Sequence, residues 1–152
     1  MEKISTIKVK KLRNVKLPRR AHPTDAGIDF FVQDDHPTIV LKPGDSCLIS
    51  GGLKVNVPEG YSLIFFNKSG VAAKMNLVLG SCVVDSGYEG ELMYNLHNIG
   101  NLTQTIEGGQ KIVQGILLPI QTPGVEEVDS ELDLFETRSE RGDGGFGSTG
   151  GM

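Results

Sequence analysis

Turn residues cut this chain into segments too short for long helices. Within residues 37–66, Pro43-Gly44-Asp45, Gly51-Gly52 and Pro58-Glu59-Gly60 interrupt runs rich in β-branched and aromatic residues. Such runs, bounded by turn signals, read as short strands, three of them in this stretch. KISTIKVKKL alternates apolar and polar residues, the period of an edge or half-buried strand. DAGIDFFV (25–32) carries a glycine between acids and runs into a strand, while MNLVLGSCVVD (75–85) is apolar enough for a central one. LMYNLHNIG, TQTIEGG and KIVQGILLPIQ continue the pattern. NKSGVAA (67–73) is where a short helix fits, capped by Asn67 or Ser69. No segment keeps a helical period. About ten short strands with frequent turns predict an all-β sandwich, jelly roll or closed barrel with at most one short helix. Residues 1–137 form its single β domain, and 138–152 are a flexible glycine-rich arm.

Nineteen acids against fifteen lysines and arginines give a net charge of −4. Sequence-independent nucleic-acid binding needs a basic face, so that class is disfavoured. Cys47 and Cys82 are too few for a disulfide framework or a zinc site, and they read as reduced thiols of a cytoplasmic protein. No run reaches membrane-spanning length, and the N-terminus lacks an apolar signal core. His22, His36 and His97 show no metal-ligand spacing.

Two stretches carry candidate chemistry. In VVDSGYEGEL (83–92), Asp85 ends an apolar strand, Ser86-Gly87 turns the chain, and Tyr88 follows. A hairpin with an acid at its mouth holds that acid rigidly and away from the core. The plain alternative is a turn-stabilising aspartate and a packing tyrosine. The C-terminal RGDGGFGSTGG includes GDGGFG, which has the spacing of a dinucleotide fingerprint but no helix after it. A glycine-rich tail is ordinarily a plain terminus. Here Arg141, Phe146, Gly147, Ser148 and Thr149 add a fork for phosphate, a ring for a base, and backbone and hydroxyl donors.

DAGID, NKSG, VVDSGYEGE, GQKIVQ and RGDGGFGSTG occur in this order between residues 25 and 150. The ordered set closely resembles the homotrimeric deoxyuridine triphosphatase (dUTPase) family. The resemblance implies a jelly-roll-like β fold and a homotrimer whose three sites each draw on all three subunits. It implies hydrolysis of dUTP to dUMP and pyrophosphate with Mg2+, which limits uracil in DNA and supplies dUMP for thymidylate synthesis. Asp85 would be the general base that activates water. Tyr88 would pack under the deoxyribose and leave no room for a 2′-hydroxyl. Gly80, Ser81, Cys82 and Val84 would line a main-chain uracil slot, rejecting cytosine by its reversed hydrogen-bonding edge. Lys68, Ser69, Gly70 and Gln114 would meet the phosphates, and Asp29 would support Mg2+ through its water shell. Arg141, Phe146, Gly147, Ser148 and Thr149 would close over the nucleotide. The partner is thus dUTP, with no nucleic acid and no membrane.

Three positions depart from the family's usual residues. Lys68 and Lys111 stand where arginine is usual, and each exchanges a planar fork for a point charge. Cys82 stands where glycine is usual, placing a side chain at the nucleoside pocket. Outside the resemblance, Asp29 reads as a strand start, Gln114 as an edge residue, and both lysines as solvated surface charges. Two rival functions share this fold. A dCTP deaminase would need a catalytic glutamate in place of Asp85. A non-catalytic deoxynucleotide-binding regulator would not need Asp85, Tyr88 and the tail together.

Overall fold

A computed structural model describes residues 4–135 and 137–144 of the chain. Contacts divide it into two compact units, Met1–Gln121 and Thr122–Met152.

Among its described residues the first unit holds eleven strands: β1 (Lys8–Lys11), β2 (Ile28–Phe31), β3 (Ile39–Leu41), β4 (Ser46–Ser50), β5 (Leu53–Asn56), β6 (Tyr61–Asn67), β7 (Leu77–Leu79), β8 (Val83–Val84), β9 (Met93–Asn98), β10 (Gln104–Ile106) and β11 (Lys111–Pro119). Helix α1 (Ser69–Met75) lies between β6 and β7. All strand pairings are antiparallel. One sheet runs β2-β11-β6-β8 and another β4-β9-β7, with the ribbons β1-β5 and β10-β3 beside them. The all-β class holds. A second short helix, α2 (Glu131–Leu134), adds to the single helix expected; Ser130 caps it, its Oγ accepting from the Asp133 N–H.

Residues 37–66 form four strands, β3 to β6, because each of the three turn signals separates two of them. At Gly44, Gly52 and Gly60 the chain takes positive φ, a backbone region where glycine carries no steric cost. The apolar run 75–85 is not one central strand. It divides into β7, paired with β9, and β8, paired with β6. Between them Gly80 donates its N–H to Asn95 O at 3.0 Å and carries the chain from one sheet to the other. Helix α1 lacks the expected side-chain cap: Lys68 occupies the N-cap position, and Asn67 Oδ1 instead accepts from the Leu79 N–H at 2.8 Å.

The core lies between the sheets. All four residues of β2 are buried, which a strand achieves only when both faces are covered. Phe30 meets Phe65 edge to face at 5.0 Å and Tyr94 at 6.4 Å, and Phe65 meets Tyr94 at 5.5 Å. Offset and edge contacts of this kind suit the ring quadrupoles. Phe30 therefore ties β2, β6 and β9 together, one residue from Asp29. Phe30→Ala should lower unfolding free energy by about 3–5 kcal/mol, read from urea denaturation, because the cavity it leaves cannot close among three strands.

Candidate active site

Asp29 sits on β2, opposite Gln114 of β11, and a bridge to Arg19 satisfies its backbone. Only 5% of the residue is exposed, a costly position for an unpaired carboxylate. Two ammonium groups meet it: Lys68 Nζ donates to Oδ1, and Lys111 Nζ lies 3.2 Å from Oδ2. Burial alone would raise the carboxyl pKa, but hydrogen bonds and charge from the two lysines outweigh it and hold it below the usual value. The lysines expected as free surface charges are therefore ion-paired. The water-shell role expected of Asp29 meets a carboxylate with both oxygens engaged by lysines.

The same junction gathers three more residues. Gln114 donates Nε2–H to Asn67 O at 2.9 Å, fixing the end of β6 against β11. Its Oε1 lies so near Gly27 that a Cβ there would fall 2.2 Å away, which gives the glycine of DAGID a packing reason. Ser69 opens α1 and Gly70 follows it, both exposed. The junction thus combines two cations on one carboxylate with an exposed hydroxyl, an array suited to a polyanion.

Asp85 stands elsewhere. Val84 pairs with Leu63, Val83 with Ile64, and Ser62 Oγ donates to Val84 O at 2.9 Å. This register sets Asp85 beside the Tyr61–Ser62 end of β6, whereas Lys68 follows its other end. At a rise of about 3.4 Å per residue, the length of β6 from Ser62 to Asn67 separates the two places by roughly 17 Å. Asp85 O accepts the Tyr88 N–H at 3.1 Å, so the expected turn is present. The expected hairpin is not: β8 joins β6, while β9 joins β4 and β7. Each strand finds its apolar partner in a different sheet, and residues 85–92 bridge them as a loop. Asp85 is exposed, and among the described residues no hydrogen bond or ion pair engages its carboxylate.

Tyr88 is 45% exposed and borders an open cleft of about 440 Å3 with Lys8, Lys10 and Lys54. Its hydroxyl donates to Glu91 O at 2.8 Å. Asn95 and His97 of β9 lie against Gly80, where a Cβ would meet Asn95 Oδ1 at 2.0 Å. Asn95 donates Nδ2–H to Cys47 O, so its Oδ1 accepts, which puts a proton on His97 Nε2 at 2.8 Å. Ser81 and Cys82 are exposed and Val84 is buried. Cys82 O accepts the Phe65 N–H at 2.7 Å, so its backbone is held by β6.

Arg141 belongs to the second unit, where its Nε–H donates to Gly144 O at 2.9 Å. Phe146, Gly147, Ser148 and Thr149 lie outside the described residues. The structure thus groups Asp29, Lys68, Ser69, Gly70 and Gln114, and separately Asp85 with Tyr88, and Gly80 with its β9 neighbours. Sequence reasoning passed over Asn95, His97 and Glu91. The paired glycines at 51–52, facing Glu91, were the only sign of a close approach there.

The dUTPase family model matches residues 13–150. A deoxyuridine 5′-triphosphate nucleotidohydrolase of Clostridium tetani is 36% identical, over 95% of this chain and 97% of its own. The protein of the same name from Tolumonas auensis is 39% identical, over 88% and 87%. Among solved structures, the Staphylococcus bacteriophage 80alpha dUTPase with dUPNHPP superposes with a TM-score of 0.85 at 34% identity, covering 97% of this chain and 99% of that one. The family match and these relatives place the chain among nucleotide hydrolases. The chain belongs to the dUTPase family.

A lowered carboxyl pKa has a definite consequence for acid stability. The Asp29 contribution is fully present above its unfolded value of about 3.9 and is lost as pH falls through the lower folded value. Asp29→Asn should therefore be less stable than the parent at neutral pH. The gap between them, followed by urea midpoints from neutral to strongly acidic buffer, should narrow only below about pH 4.

Proposed function

We propose that this chain is a dUTP diphosphatase, converting dUTP and water to dUMP, pyrophosphate and a proton. The observation that carries the reading is the contrast between its two site aspartates. Asp29 is buried and committed to Lys68 and Lys111, whereas Asp85 is exposed at the end of a held strand. An exposed carboxylate on a rigid turn can accept a proton from water directed at the α-phosphorus. Lys68 and Lys111 supply positive charge where the leaving pyrophosphate gathers negative charge, and Ser69, Gly70 and Gln114 supply polar contacts there. Tyr88 is the wall against the sugar, and Gly80 to Val84 form one side of the base slot.

About 17 Å of β6 between Asp85 and the lysine junction supports a further element of the reading. Attack at the α-phosphorus and contacts to the β- and γ-phosphates take place within a few ångströms of one another. One copy therefore cannot serve both, and each site pairs Asp85 of one subunit with the lysine junction of another. The homotrimer that the resemblance implies would provide that pairing, with Arg141, Phe146, Gly147, Ser148 and Thr149 of the tail closing over the nucleotide.

Among the described residues no three His, Cys, Asp or Glu side chains group as metal ligands, and both oxygens of Asp29 are engaged by lysines. This donor set does not fit a resident metal. Magnesium belongs to the substrate, as the counter-ion of the triphosphate. Both cysteines are free thiols, in keeping with work in the cytoplasm, and no described helix is long and apolar enough to cross a membrane.

Turnover measured across the deoxynucleoside triphosphates and UTP should show hydrolysis of dUTP far above the others. Asp85→Asn should lower kcat by about 100- to 10,000-fold while a non-hydrolysable dUTP analogue still binds in calorimetry. Wild-type turnover in that variant would remove Asp85 from the mechanism. Removal of residues 140–152 should cut turnover sharply without unfolding the β domain; full activity would leave the tail no role.

A further inference from the structure

Glu91 plays no part in the chemistry above, yet three donors from two distant segments meet on its carboxylate. Oε1 accepts the Ser50 hydroxyl and the Gly52 N–H, the latter at 2.9 Å. Oε2 accepts Arg13 Nη2–H at 3.2 Å. The next residue is stitched to the same turn, with Gly51 N–H donating to Leu92 O at 2.7 Å and Leu92 N–H to Leu53 O at 2.9 Å. These bonds fix the end of the 85–92 loop to the turn between β4 and β5. The three donors stabilise the charged form, and despite some burial the Glu91 carboxyl is held below its ordinary pKa.

The main chain fixed in this way is the one Tyr88 leans on. The Tyr88 hydroxyl donates to the Glu91 carbonyl, and the ring packs on the bare Cα of Gly90, where a Cβ would stand 2.3 Å from Oη and 2.4 Å from Cζ. The ring is 45% exposed. We infer that Glu91 is a positioning residue for sugar selection: its carboxylate anchors the loop to Ser50, Gly52 and Arg13, and its carbonyl, thereby fixed, sets the Tyr88 ring at the distance that excludes a 2′-hydroxyl. The inference rests on Tyr88 being the sugar wall of the proposed reaction. A wall of this kind discriminates only as sharply as it is held, because the extra oxygen of a ribonucleotide needs only a small retreat of the ring.

The test compares kcat/KM for dUTP and for UTP in the wild type and in Glu91→Gln, Arg13→Ala, Gly90→Ala and Tyr88→Phe, with urea unfolding as a check on folding. The dUTP-to-UTP ratio should fall by about tenfold in Glu91→Gln and Gly90→Ala, and by less in Arg13→Ala, where two anchors remain. The fall should come from gained activity on UTP, with kcat for dUTP changing less than the ratio. A general loss of stability would instead lower both substrates together. A ratio that falls in Gly90→Ala and Tyr88→Phe but holds in folded Glu91→Gln and Arg13→Ala overturns the inference alone. A wild-type protein that takes UTP as readily as dUTP overturns the proposed function itself.

Discussion

A buried carboxylate bridging two ammonium groups organises the junction of β2, β6 and β11. Asp29 lies in a strand buried on both faces, where an unpaired charge would be costly, so Lys68 and Lys111 must approach it for the fold to tolerate it. They come from different places, one just past β6 and the other at the start of β11. Their two ion pairs therefore tie three elements at one point, and Gln114 adds a third tie through Asn67 O. One carboxylate between two lysines leaves a net positive charge beside an exposed serine. The same interaction thus satisfies the core and prepares a surface for a polyanion.

That arrangement also explains how lysine stands where the family usually has arginine. A guanidinium reads a carboxylate or phosphate with a planar fork, whereas an ammonium is a point charge on a flexible stem. Here the flexibility is removed by Asp29, which holds both ammonium groups in place before any ligand arrives. Strand β6 then sets the scale of the site. The lysine junction lies beyond one of its ends and Asp85 beside the other, and in the proposed reaction that spacing calls for a second copy of the chain.

Much of this was legible in the sequence, and the rest failed for identifiable reasons. Turn residues marked β3 to β6, and the ordered motif blocks pointed to Asp29, Ser69, Asp85, Tyr88 and Gln114. Local pattern does not encode which sheet a strand joins. Residues 75–85 read as one strand because they are largely apolar, yet Gly80 lets the chain leave β9 for β6. The 83–92 hairpin failed likewise, since β8 and β9 each pair with a strand distant in sequence. Glu91 was missed, and the pairing of Lys111 with Asp29 was not foreseen, because a lone charge looks solvated until its partner, many residues away, is known. The turn at Asp85 to Tyr88 was read correctly because all its determinants are adjacent.

Subunit complementation tests the central claim most directly, that each site joins Asp85 of one copy to the lysine junction of another. Asp85→Asn and Lys68→Ala chains, each nearly inactive alone, would be unfolded together in equal amounts and refolded. In randomly mixed cyclic trimers one site in each mixed assembly regains both intact halves, so activity should recover to about one quarter of the refolded wild type. Activity no greater than the average of the two parents, in assemblies shown to be mixed, would place both halves in one chain and contradict the account.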